Sequence, residues 1–96
     1  SSTTKTSSYI LTASDIGTLV QTNTTVTVDQ NIFTAGDAIT IYNNSASNIT
    51  ITQGTNVTFY LAGTATTGSR TLAQRGVATV LCVASNAFVV SGGGLT

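Results

Sequence analysis

The chain has 96 residues, of which 41% are hydrophobic and only 6% charged, with a net charge of zero, no His, no Pro and a single Cys. That length suits one domain and is too short for two. A charge content so far below the roughly 25% of ordinary soluble domains leaves no basic stripe for nucleic-acid phosphates and no acidic run for calcium. Without His there is no imidazole to bind zinc or move a proton. No apolar run approaches the roughly 20 residues of a membrane helix, and no basic-then-apolar leader opens the chain. A soluble chain with sparse charge is expected. Such a surface guards poorly against association, which points to cover by copies of itself or by a larger assembly.

Residues 1–8, "SSTTKTSS", are small, polar and aperiodic. They predict a flexible N-terminal arm ahead of a single β domain over 9–96. Tyr9 to Leu11 is a short β-like run. "TASDIG" offers Thr12 or Ser14 as a cap, Asp15 near a helix start and Gly17 as a stop, enough for one helical or 3₁₀ turn. Leu19 to Thr22 resumes an extended pattern. "NTTVTVDQN" sets Val26 and Val28 on one face, with Thr25 and Thr27 on the other. A turn at Ala35–Asp37 leads into "ITIYNNSASNITITQG", residues 39–54. Its two arms put Ile39, Ile41, Ile49 and Ile51 on one face, and Thr40, Tyr42, Thr50 and Thr52 on the other. "NNSASN" reads as the loop of a hairpin between those arms.

Val57 to Leu61 is a further strand, "TATTGSRT" a polar loop, and "VATVLCVAS" the most apolar strand, read as central. "SN" then turns it into "AFVVSG", so Val77–Val83 and Phe88–Val90 predict an antiparallel hairpin. "SGGGLT" reads as a mobile tail or packed turn. The expected fold class is all-β: one antiparallel β-sandwich or barrel of seven or eight short strands, with at most one helical turn. Parallel pairing is not expected, because the connections are too short for helical crossovers. The edges lack the Lys and Pro that discourage pairing.

The catalytic inventory is nearly empty. The acids are Asp15, Asp29 and Asp37, with no Glu. Asp15 suits a cap and Asp37 a turn. The glycine run "SGGGLT" lacks the Lys and helix of a phosphate loop. The chain is therefore read as no enzyme, with no cofactor and no metal. Cys82, among apolar neighbours, reads as a small buried hydrophobe. Asn-x-Ser/Thr triplets at Asn23, Asn43, Asn48 and Asn56 are read as chance in so Asn- and Thr-rich a chain. The candidate contact residues are Arg70 and Arg75, as planar interface anchors, Tyr42 and Tyr60 at strand ends, and Thr50 and Thr52 on the exposed arm face. An ice-binding Thr array is disfavoured, since its short Thr-x-Thr pieces are separated by unlike loops and sheets twist.

"YILTASDIGTLV", "FTAGDAITIYNN" and "ITITQGTNVTFYLAGTATTGSRTLAQRGVATVLCVASNAFVVSGGGLT" together resemble a small β domain that recurs in bacteriophage virion proteins, most of all its cyanophage versions. The resemblance spans about residues 8–96. Asp29, Gln30 and Asn31 stand where such domains commonly carry a Pro after the "VTV" run. No catalytic motif accompanies the likeness. It implies a virion structural protein that acts as a head decoration (cement) protein through symmetric contacts. The partners implied are itself, as a homotrimer, and other virion proteins such as the major capsid protein. The alternative is a tail-fibre tip contacting host surface glycan. Neither nucleic acid nor membrane is an expected partner.

Overall fold

The computed structural model of the chain describes residues 4–96. Its elements in order are β1 (Tyr9–Ile10), a 3₁₀ turn (Ala13–Asp15), β2 (Leu19–Thr22), β3 (Val26–Val28), β4 (Ala38–Asn43), β5 (Ile49–Gln53), β6 (Thr58–Leu61), β7 (Arg70–Ala84) and β8 (Ala87–Leu95). The strand-rich expectation and the single short turn both hold. The wholly antiparallel expectation does not, because the sheet is mixed. β1 pairs with β3, β3 with β5, β2 with β4 and β6 with β8, all parallel. β7 is antiparallel to β4, β5 and β8.

The parallel pairs need no helical crossover because another strand makes the crossing. The chain from β1 to β3 passes through β2, and the chain from β3 to β5 passes through β4. Each winding thus adds one strand to each of two stacks. Lys5, paired in parallel with Thr22, starts the first winding. Within the expected arm, residues 1–3 lie outside the described residues, and Lys5 is tied down: its N–H donates to the Gln21 carbonyl at 2.8 Å, and the Asn23 N–H donates to its carbonyl at 3.1 Å.

The hairpin expected over residues 39–54 is the second correction. β4 and β5 do not pair with each other. Ala38–Tyr42 match Leu81–Val77, and Ile49–Ile51 match Leu72–Arg70. The two arms therefore run in the same sense, end to end, along one edge of β7. "NNSASN" is a corner, and Asn43 is what holds it. This side chain is fully buried. Its Nδ2 donates to the carbonyls of Ser47 at 2.7 Å, Leu72 at 3.0 Å and Ala73 at 3.0 Å. Ser45 Oγ donates to its Oδ1 at 2.7 Å. One amide thus fixes the corner and ties it to the bend of β7. The sequence triplet at Asn43 is thereby explained as structural.

β7 bends to follow the corner. Its register against β8 shifts between Leu72 and Val77. Within that shift Arg75 takes a left-handed φ of 57°, and Gly76 sits where an added Cβ would lie 2.7 Å from Leu72 Cδ1 and 2.8 Å from the Ala73 carbonyl. Only glycine fits there. "SGGGLT" is the end of β8, where Gly92 and Gly93 lie opposite Ala78 and Val77. An added Cβ at Gly92 would strike the Val77 carbonyl, so glycine there lets the two backbones approach, and this segment is strand and neither tail nor turn.

Both stacks turn their alternate residues onto one core. All four Ile of residues 39–51 are in it, none more than 6% exposed. Phe33 and Phe59 each meet Phe88 edge to face at 5.9 Å, the preferred geometry for aromatic pairs. Each such side chain, fully buried, contributes roughly 1.5–3 kcal/mol of transfer free energy.

Candidate functional site

With one side of the sheet committed to the core, two outer faces remain, and they meet at the bend of β7. The first covers β1, β3, β5 and the start of β7. Register places Ile10 beside Thr27 and Thr27 beside Thr52, and sets Thr50 opposite Thr71. Thr71 and Thr96 exchange backbone bonds at 2.9 Å. The structure therefore brings together Thr-x-Thr pieces that lie far apart in the sequence. The hydroxyls of Thr27, Thr50, Thr52 and Thr71 make no bond within the described residues. The corner hydroxyls differ: Thr18 Oγ1 donates to the Asp15 carbonyl at 2.8 Å, and Thr22 Oγ1 to that of Thr24 at 2.9 Å.

The second face covers β2, β4, the rest of β7, β8 and β6. Three cross-strand rows make it. Ala38, Leu81, Val89 and Tyr60 form one row. Leu19, Thr40, Thr79 and Ser91 form the next, and Gln21, Tyr42, Val77 and Gly93 the third. Leu19, Tyr60, Val77 and Leu81 are 38–44% exposed, and Val83 at the end of β7 is 45% exposed. Five large apolar side chains on one sheet face exceed the scattered exposure expected of a surface. No pocket opens among the described residues, so this face offers no concave site.

The six residues singled out from sequence divide between these faces. Thr50 and Thr52 lie on the hydroxyl face. Tyr42, Tyr60 and Arg75 belong to the apolar face. Arg75 lies across its end, with Nη1 donating to Asn44 Oδ1 at 2.8 Å and to the Tyr42 hydroxyl at 3.3 Å. These acceptors are neutral, so the guanidinium charge is not neutralised locally. Arg70 stands apart at the start of β7, its Nε donating to the Ser69 carbonyl at 3.0 Å. Leu19, Val77, Leu81 and Val89 were missed. The signal was present in "VATVLCVAS", where Val77, Leu81 and Val83 share one parity and Ala78, Val80 and Cys82 the other. A run apolar on both parities reads as a strand buried on both faces, and only one face of β7 is buried.

Two remaining groups have structural work. Asp15 is 4% exposed. Its Oδ2 accepts from the Thr12 N–H at 2.8 Å and the Tyr9 hydroxyl at 2.7 Å, closing the 3₁₀ turn. Burial, then the bond to Asp15 and its charge, push the Tyr9 phenol above the usual tyrosine range. Lys5 Nζ lies 4.4 Å over the Tyr9 ring, a cation–π contact. Cys82 is 1% exposed, and burial pushes its thiol up, the opposite of what a reactive cysteine needs. Among the described residues no group of three or more His, Cys, Asp or Glu could hold a metal ion. No family model, curated protein or solved structure matches this chain.

Proposed function

We propose that this chain is a structural module of a bacteriophage virion, a head decoration (cement) protein that stiffens a shell by packing its outer sheet faces against neighbouring subunits. The resemblance of residues 8–96 to virion β domains gives the setting. The observation that carries the mechanism is the set of exposed apolar side chains Leu19, Tyr60, Val77, Leu81 and Val83 on the outer face of β2, β6 and β7, with Arg75 across its end. Such a face gains free energy by being covered, at about 25 cal/mol per Å² of apolar surface removed from water. Repeated by symmetry, contacts that are weak singly become strong through avidity. Thr50 and Thr52 fall on the face without that driving force, so they are secondary contacts in this reading.

A tail-fibre tip contacting host glycan is the second reading. It is favoured by a polar end of the molecule. There the Asn31 backbone N–H donates to Asn86 Oδ1 at 2.8 Å and Asn86 Nδ2 donates to Asn31 Oδ1 at 3.2 Å, Asn56 Nδ2 donates to Gln30 Oε1 at 3.1 Å, and Tyr60 is 39% exposed on the adjacent strand. Locating the chain in a reconstructed particle separates the two. Density on the head lattice supports decoration. Density at a fibre tip, with glycan-array binding lost in Tyr60→Ala, supports the second reading and overturns the first.

A further inference from the structure

We propose that Arg75, with Tyr42 and Asn44, forms a binding site for the carboxylate of an acidic sugar, set where β7 bends past the end of β4. The site lies apart from the polar end at Asn31, Asn56 and Asn86, and it needs neither location in the particle. It is tested on the chain alone, so its failure leaves both readings of the proposed function standing.

The backbone singles out Arg75. Among the described residues, four other than glycine take a left-handed φ: Asn31, Asn56, Asn86 and Arg75. Asparagine enters that region readily, and a long side chain does not. Strain of this kind collects where a side chain must be aimed. Here Nη1 donates to Asn44 Oδ1 at 2.8 Å and to the Tyr42 hydroxyl at 3.3 Å, which engages both of its hydrogens. Asn44 Nδ2 donates in turn to Thr4 Oγ1 at 3.1 Å and to Gln21 Oε1 at 3.4 Å, so the acceptor is itself held.

Nε and Nη2 of Arg75 make no bond within the described residues. Their N–H groups lie side by side on one edge of the guanidinium, the fork that takes both oxygens of a carboxylate. The Tyr42 hydroxyl accepts from Arg75 and keeps its own proton to donate. Both acceptors that Arg75 reaches are neutral, so its charge is available to an anion. Arg70 is the contrast: it is not left-handed, and its Nε is spent on the Ser69 carbonyl at 3.0 Å.

The surroundings of the fork suit a single sugar ring. No pocket encloses it, and an exposed ion pair alone is weak, so the rest of the ligand must meet groups close by. Those are the hydroxyl of Thr4 and the amides of Gln21 and Asn44, which match sugar hydroxyls. The half-buried Tyr42 ring, beside Val77, offers apolar surface to the C–H face of the ring. Affinity in the millimolar range follows.

A nuclear magnetic resonance titration of the chain with sodium glucuronate tests the site. The Arg75 Nε–H and Asn44 Nδ2–H resonances are expected to shift together and to saturate. Glucose, the same ring without the carboxylate, should move neither. Arg75→Lys keeps the charge and loses the fork, and should weaken binding roughly tenfold. Tyr42→Phe keeps the ring and loses one donor, and should weaken it about threefold. Arg70→Lys should leave it unchanged. Arg75→Gly relieves the left-handed backbone, so it should fold normally and still lose binding; should it not fold, Tyr42→Phe carries the test. Unshifted Arg75, glucose binding as well as glucuronate, or full affinity in Arg75→Gly or Tyr42→Phe would overturn the proposal. So would a glutamate-rich peptide that binds more tightly than glucuronate, which gives the fork to a protein partner. Inorganic phosphate binding as tightly would reduce the site to unspecific anion attraction and overturn it too.

Discussion

The two outer faces of this molecule are built from the same alternating strands, yet they differ in what water does to them. On the hydroxyl face Thr27, Thr50, Thr52 and Thr71 keep unbonded hydroxyls toward solvent. Their β-branched stems suit the pleated sheet, and the face stays wet without charge. On the apolar face Leu19, Val77, Leu81 and Val83 hold 38–45% of their surface in water, which favours a covering partner. A threonine row in a β protein therefore need not be the binding surface. The better candidate here is the face where threonine is interrupted by leucine and valine. The boundary between them is the bend of β7, fixed from inside by Asn43.

Breaking that boundary has the largest expected effect. Asn43→Ala removes the donor from three carbonyls and orphans the buried ones, each at about 1–3 kcal/mol. A loss of about 3 kcal/mol in urea unfolding is expected, with both faces disturbed. A loss no larger than that of an exposed substitution would mean that the bend is set elsewhere. Next is the N-terminal winding: Asp15→Ala strips the bonds from Thr12 and Tyr9 and should cost about 2 kcal/mol. Hydrogen exchange should rise in β1 and the 3₁₀ turn before it rises in β7.

Exchanging the chemistries sharpens the comparison with smaller changes in stability. Val77→Thr with Leu81→Thr should leave stability within about 0.5 kcal/mol per site, raise solubility and reduce binding of an apolar dye. Thr27→Val with Thr52→Val should be neutral to slightly stabilising. It should not make the hydroxyl face associate, because Thr50 and Thr71 still border the patch. Association by that variant would show that residue type alone, without position along β7, sets the contact. The smallest effect is with pH. The Tyr9 phenol binds its proton more tightly folded than unfolded. Its contribution is complete below the ordinary tyrosine value of about 10 and is lost as pH rises through the higher folded value. Tyr9→Phe should flatten that alkaline decline in a denaturation series.

Much of the local structure was legible in the chain. The Ile face of residues 39–51, the 3₁₀ turn and the β7–β8 hairpin each follow from spacing of a few residues, whereas the choice between Thr12 and Ser14 as the cap does not. The pairing of β4 was not legible. An arm–loop–arm pattern with a short Asn- and Ser-rich loop is the same whether the chain reverses or turns a corner. The difference is made by Leu72 and Ala73, which lie far along the chain and accept from Asn43. The parallel stacks were hidden for a related reason, since a strand serving as the crossover looks like any other strand.

By itself the sequence determined a sparsely charged, β-branched chain whose alternation commits one side of each strand to a core. That follows from the period of two along a strand and needs no partner strand to be known. Tertiary structure decided which strands became neighbours, and hence which outward residues share a face. Thr27 and Thr52, or Leu81, Val89 and Tyr60, become adjacent only through backbone pairing between distant segments. That adjacency is set by one buried amide at a corner and one long strand that bends around it.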